Sequence, residues 1–419
     1  MQVVDTVDEA GEVVRSLLTE QGQDNPYPWY ARLRELAPVY YSDAFGSYLV
    51  TRHDDCNDVL VSADIGKADA QWADEHAPGW RERPITRYLF ASMLRQNPPD
   101  HTRVRGLVNK AFTERRVATM RTRIEQLTDR ALDDLADAGA DGSPVDFQQV
   151  VAYPMSIAIV GSLVGLPEAD NALFQRLVGQ VSRILDPGID SGELRQADEA
   201  TVEIQRNIAG MVDERRSRPR DDLTSDLIAV RQADGDQLSA EEMQATLSLL
   251  FMAGLDTSAL TFGTGMATFL AHPRQAAALR ADPALAATAA DEVIRWDSAA
   301  QVAHRRVQRD TVIGGVLLPA GSTVSAMLGS ANRDPARFAD PDVFDIARPG
   351  PRSMGFGAGI HFCIGAALAR LESAVLFPRV LRRFPDLALA GTPVRRNTVA
   401  IRGYHRLPVS VRPARSRAG

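Results

Sequence analysis

Apolar positions along this chain recur mostly at helical spacing. Segments 28–36, 115–138 and 203–216 place apolar residues every three or four positions among polar ones, the pattern of a helix with one buried face. Strict alternation is rarer. Val39-Tyr40-Tyr41 and Ser47-Tyr48-Leu49-Val50, joined by Asp43-Ala44-Phe45-Gly46, predict a hairpin near the N-terminus. A second β-rich patch spans 301–327, with turns at Gly314-Gly315 and Pro319-Ala320-Gly321, and the last strands fall between 387 and 411. The pattern is mainly α with minor antiparallel sheets. No internal repeat, low-complexity tract or Pro/Gly/Ser linker divides it.

One segment is apolar all round. From 245 to 271 the only charge is Asp256, and the run is long enough to cross a bilayer. It is also dense in Thr, Ser and Gly with its acid in the middle, which fits a helix buried inside a large protein better than a membrane span. Ser239-Ala240-Glu241-Glu242 is a capping box, so the helix starts there and stops before His272-Pro273. Gly254, Asp256 and Thr257 are locally unfavourable in such a helix. A hydroxyl that competes for backbone carbonyls beside a glycine predicts that the helix opens by one turn.

Composition narrows the classes. A chain of 419 residues with 45% hydrophobic and 24% charged residues is ordinary for a globular protein, and a net charge of −7 gives no electrostatic case for nucleic acid. Two cysteines argue for a reducing compartment. The first residues lack a basic region followed by an apolar core, so the expected location is the cytoplasm, with no membrane attachment.

The chemistry centres on one of those cysteines. Cys363 sits in Gly355-Phe356-Gly357-Ala358-Gly359-Ile360-His361-Phe362-Cys363-Ile364-Gly365, where glycines allow tight turns, and a run of good helix formers follows. A thiolate at such a loop-to-helix junction gains from the helix dipole and from unpaired N–H groups. Zinc is disfavoured by the absence of a second Cys or His at ligand spacing, and covalent c-type haem attachment by the absence of Cys-x-x-Cys-His. Cys56, in a helix-like run at 54–60, reads as a small buried apolar residue.

Phe356, Gly359, His361, Cys363 and Gly365 fill the pattern Phe-x-x-Gly-x-His-x-Cys-x-Gly, which resembles the haem-ligand loop of the cytochrome P-450 family. Ala253-Gly254-Leu255-Asp256-Thr257 is similar to that family's Ala-Gly-x-Asp-Thr, and Glu292-Val293-Ile294-Arg295 to its Glu-x-x-Arg. The resemblance covers nearly the whole length and implies the P-450 fold in one domain, 1–419. It implies Cys363 as the iron ligand of haem b (iron protoporphyrin IX). Ala253, Gly254, Phe356, Gly357 and Gly365 would lie against the haem, and His101, Arg105, Arg305 and His361 would meet its propionates. Arg306 stands beside Arg305, and a strand points only one of the two inward. Glu292, Arg295 and Arg348 would form a buried structural network that locks the cysteine loop. Asp256 and Thr257 would manage protons; read alone, they are better taken as a satisfied buried polar pair with no role, and the Cys363 loop reverses that preference.

The activity so implied is a bacterial-type monooxygenase that activates O2 and inserts one oxygen atom into a lipophilic small molecule, by hydroxylation or epoxidation, in secondary metabolism. The alternatives are another oxidation on the same fold (desaturation, coupling, nitration or peroxide-driven chemistry) and a haem-binding sensor without turnover. Electrons would come from NAD(P)H through a ferredoxin and its reductase, and the protein would be a monomer. Leu249, Met252 and Ala253 share a helix face with Thr257 and are expected to line the substrate pocket, with Gln301, Val302, Ile401 and Leu94 completing it. A basic helix over 103–116, with Lys110 and Arg115, is the expected docking face for an acidic ferredoxin.

Overall fold

The β-forming residues of the first hairpin pair as expected. Val39–Ser42 runs antiparallel to Ser47–Val50 with Val39 opposite Val50, and Gly46 takes a left-handed φ of +56° in the turn. The computed structural model describes residues 2–185, 189–230, 235–350, 352–396 and 398–411 and is 61% helical. Ser47–Val50 continues parallel to Thr323–Met327, which pairs antiparallel with Val302–Val307; Ile65–Gly66 closes the far edge of this five-stranded sheet. The sheet is therefore mixed rather than antiparallel throughout. The parallel pair joins strands far apart in sequence, so no short turn dictates its direction. Thr311–Ile313 and Val316–Leu318 form a separate hairpin across Gly314 and Gly315.

Long-range packing divides the chain into two units. The first comprises Met1–Lys67, Gly263–Cys363 and Pro393–His405; the second comprises Ala68–Phe262, Ile364–Thr392 and Arg406–Gly419. In the first, the five-stranded sheet carries apolar residues on both faces, as strand alternation requires. Leu49 and Met327 pack with Val13, Leu17, Tyr30 and Leu33, while Val50, Val324 and Ala326 pack with Cys56, Val59, Leu60 and Met354. A buried polar cluster ties its three segments together. Asp297 accepts from the Tyr27 hydroxyl at 2.6 Å and from Arg402 Nε at 2.7 Å, and Arg402 reaches on to the Asp24 carbonyl at 2.5 Å.

The second unit is mainly helix, with a small sheet in which Pro408–Ser410 lies between Val145–Asp146 and Ala388–Leu389. Two expectations change here. The helix expected at 203–216 is Ser191–Ser217, begun by a reciprocal capping box between Asp190 and Glu193. The basic stretch 103–116 is not one helix. Asp100–Ala111 ends, Thr113 caps a new helix by accepting from Arg116 N–H at 3.1 Å, and Glu114–Thr119 passes into Arg121–Ala138 at Met120.

The long helix is Ala240–Ala271. Its capping box is reciprocal: Glu242 N–H donates to Ser239 Oγ at 3.1 Å and Ser239 N–H to Glu242 Oε2 at 2.9 Å. Among the described residues it is the one helix long and apolar enough to cross a membrane, and 61% of its most apolar window is buried, as in a core helix. The expected one-turn opening is absent. The helix is α throughout, even though Thr257 Oγ1 donates back to the Ala253 carbonyl at 2.6 Å, since a carbonyl oxygen has two lone pairs and can accept from a hydroxyl and from its helical amide at once.

Candidate active site

The two cysteines have opposite surroundings. Cys56 lies in the helix His53–Val61, fully buried, with its Sγ on the Val50 carbonyl at 3.0 Å; burial pushes its thiol pKa well up, so it stays a neutral apolar group. Cys363 is exposed, in a loop held by its own backbone. Short 3₁₀ turns at Met354–Phe356 and Gly359–His361 flank the bend, Cys363 N–H donates to the Phe356 carbonyl at 3.0 Å, and the Phe356 and Phe362 rings meet edge-on at 6.3 Å. Gly357 and Gly359 both take φ +69°. A Cβ at Gly359 would also collide with the Leu60 carbonyl, so two independent constraints demand glycine there.

Behind the loop, Glu292 and Arg295 pair through two hydrogen bonds of 2.7 and 2.8 Å, both side chains almost fully buried. Arg348 Nε reaches Glu292 Oε1 at 3.3 Å, and Asp345 N–H donates to the same oxygen at 2.9 Å. Arg295 spends its remaining donors on the carbonyls of Asn332 and Pro341, both at 2.9 Å, and Val343 at 3.2 Å. Asn332 Oδ1 then accepts from Met354 N–H at 2.6 Å, which joins the network to the start of the cysteine loop.

Of the two adjacent arginines, Arg305 is the buried one, and Arg306 is half-buried and bonds Thr323 at 3.2 Å. The Arg305 guanidinium donates to the His304 carbonyl at 3.0 Å and faces no carboxylate among the described residues; desolvation alone pulls its pKa down to about 10. An isolated buried cation of this kind is the complement of an anionic ligand. His361 is half-buried in the same unit.

In the second unit, His101 is buried and Arg105 half-buried one turn apart on Asp100–Ala111, and Arg105 donates to Asn109 at 3.1 Å. The middle of the long helix is open on one stripe: Ala253 is exposed, with Met252, Gly254, Thr257 and Thr261 half-buried among buried neighbours. Around the stripe the helix is gripped from outside. Tyr153 OH lies 3.5 Å from Asp256 Oδ1, Ser156 Oγ donates to the Leu255 carbonyl at 2.7 Å, and Ser258 Oγ donates to Glu372 Oε2 at 2.7 Å. Burial raises the Glu372 carboxyl to about 8, so it holds its proton at neutral pH. Ser258 is thus turned away from Thr257 and does not stand by as a substitute hydroxyl.

The expected pocket residues divide. Met252 and Ala253 belong to the open stripe, Leu249 is buried beside it, and Leu94 is exposed. Gln301 does not fit a substrate role, because its side chain is buried and donates to the Ser298 carbonyl at 2.8 Å. Val302 packs on the cluster of Leu49 and Met327, and Ile401 bridges to Ala300. Tyr153, Ser156 and Glu372 were missed by the sequence reading, since each lies about a hundred residues from its partner in the chain.

The cytochrome P-450 family model matches residues 57–396, most of the chain. The chain belongs to the cytochrome P-450 family. A P-450 of Saccharopolyspora erythraea, 107B1, is 37% identical over 390 residues, covering 91% of this chain and 93% of that protein. The 6-deoxyerythronolide B hydroxylase of the same organism is 36% identical over 394 residues, covering 91% and 95%. Among solved structures, P-450 BioI in complex with an acyl carrier protein bearing hexadec-9Z-enoic acid superposes with a TM-score of 0.85 at 29% identity, covering 93% of this chain and 98% of that one. The chain is accordingly a P-450 monooxygenase, an oxidoreductase that uses haem and O2.

Proposed function

We propose that this P-450 monooxygenase oxidises a lipophilic secondary metabolite of polyketide type, with haem b held by Cys363. The contrast between the two cysteines carries the reading: one thiol is sealed in a core, the other is presented by a loop that only glycine can build. The fit to haem has a second support in Arg305, a buried cation with no carboxylate partner among the described residues, suited to a propionate. His101, Arg105 and His361 are the other propionate-binding residues, and Ala253, Gly254, Phe356, Gly357 and Gly365 offer small or flat surfaces for the macrocycle. When bound, haem supplies the oxygen chemistry, tuned by electron density from the thiolate.

The protein's own work is proton and substrate management. Asp256 exchanges protons with solvent and Thr257 places them, a positioned acid–base pair. Glu292, Arg295 and Arg348 keep the cysteine loop in place. Met252 and Ala253 contact the substrate, with Leu249 and Leu94 shaping its surroundings. The polyketide class rests on likeness to a 6-deoxyerythronolide B hydroxylase and on a stripe without charge. Electrons come from NAD(P)H through a ferredoxin and its reductase, in the cytoplasm, to a monomeric enzyme whose two units form one domain; the family model spans segments of both.

The test is spectroscopic. The ferrous–CO form should show the red-shifted Soret band of thiolate ligation, lost in Cys363→His and kept in Cys56→Ala. A red-shifted band that survives Cys363→His sinks the assignment. Titration with macrolactones, read as a shift of haem spin state, then tests the substrate class.

A further inference from the structure

The residues that grip the long helix do so in a pattern. Tyr153, Ser156 and Val160 lie at i, i+3 and i+7 of the helix Tyr153–Val164, one face of it, and meet three successive residues of the long helix. Val160 packs where a Cβ on Gly254 would stand 3.0 Å from its Cγ2, Ser156 Oγ bonds the Leu255 carbonyl at 2.7 Å, and Tyr153 OH faces Asp256 Oδ1 at 3.5 Å. A wide π turn, Gln148–Ala152, immediately precedes Tyr153 and resets the phase of the helix before it.

We propose that this face is the positioning element for proton supply from Asp256, with Tyr153 as the orienting donor and Ser156 as the pin. The proposal rests on the reading of Asp256 as the residue that exchanges protons with solvent. In a regular helix the Leu255 carbonyl serves the amide four residues on. A second, buried donor on the same oxygen fixes the rotation of the long helix about its axis at that level, and with it the directions of Asp256 and Thr257. The 3.5 Å separation is long for a hydrogen bond, as catalytic contacts commonly are before substrate binds. Tyr153 and Ser156 touch neither substrate nor haem in this account; they act through Asp256.

The experiment uses full-length holoenzyme whose haem content is checked by the CO band. The Asp256 carboxylate is followed by infrared difference spectroscopy at fixed pH, its band identified by loss in Asp256→Asn. Tyr153→Phe removes the donor facing Oδ1 and should shift the frequency of that carboxylate band. NADPH-driven oxygen consumption is then measured with a plant-type ferredoxin and its reductase, without added substrate. Tyr153→Phe and Ser156→Ala should each slow it about threefold, Ser156→Thr should restore it, and neither change should slow Asp256→Asn further. A band that does not move, or single variants that slow the Asp256→Asn background as much as the wild type, overturns the positioning role. Oxygen consumption unchanged in Asp256→Asn itself, with the band still moving in Tyr153→Phe, overturns instead the proton-supply reading beneath it.

Discussion

The Cys363 loop and the 253–258 segment of the long helix both turn on a glycine, yet they are held in opposite ways. The loop is fixed by backbone: left-handed glycines, two short 3₁₀ turns, and a buried ion network whose charged members are a helix turn apart or in the approach to the loop. The helix segment is fixed by side chains from elsewhere, with Tyr153, Ser156 and Glu372 reaching in from two other helices. Backbone-determined geometry admits few sequences. Side-chain-determined geometry can be built from many different partners, so it leaves less trace in a motif.

The strongest way to break the contrast is at the network behind the loop. Arg295→Leu leaves Glu292 buried without its main partner, a change on the order of 3–5 kcal/mol. Soluble yield and haem content should collapse together, and near-normal haem incorporation would show that the loop does not depend on this network. A smaller and pH-dependent effect is expected at Glu372. Folded, it keeps its proton up to about pH 8, whereas exposed on unfolding it would lose it near 4.5. Between those values the folded state binds the extra proton, so stability falls as pH rises through the window, by on the order of 5 kcal/mol in total. Glu372→Gln keeps an acceptor for Ser258 and should flatten that part of the Tm-against-pH curve; an unchanged slope removes Glu372 as its source.

The smallest effect concerns the basic surface. Arg103 is tied to Glu242 and to Asp236 at 3.2 Å, and Arg116 to Asp221 and to Asp226 at 3.6 Å, whereas Lys110 and Arg115 are exposed. Charge reversal of Lys110 and Arg115 to Glu should slow reduction by ferredoxin about threefold at low salt, and the difference should shrink as salt rises. Equal rates at every ionic strength would leave this surface out of partner docking.

What was legible in the sequence follows the same division. The hairpin, the capping box at Ser239, the cysteine loop and the Glu-x-x-Arg pair rest on local patterns, and each forms where the pattern placed it. Two local signals were passed over: the cap at Thr113 that divides the basic stretch, and the Asp190–Glu193 box that starts its helix a dozen residues early. The grip on the long helix and the neutralised arginines were out of reach, because the deciding partner of each is set by tertiary packing. The expected helix opening is absent although its local signal is present, since the Ala253 carbonyl can accept the threonine hydroxyl alongside its helical amide.

The buried cluster of Tyr27, Asp297 and Arg402 has a consequence for recombining this enzyme with its relatives. Each of the three comes from a different segment of the first unit. A chimera whose second parent carries a different residue at one of these positions replaces one member of a desolvated cluster and keeps the other two, so against such a parent the three segments behave as a single heritable block although most of the chain lies between the outer ones. Crossovers that exchange all three together preserve the cluster. A crossover in the middle of the gene, the usual first choice, divides it.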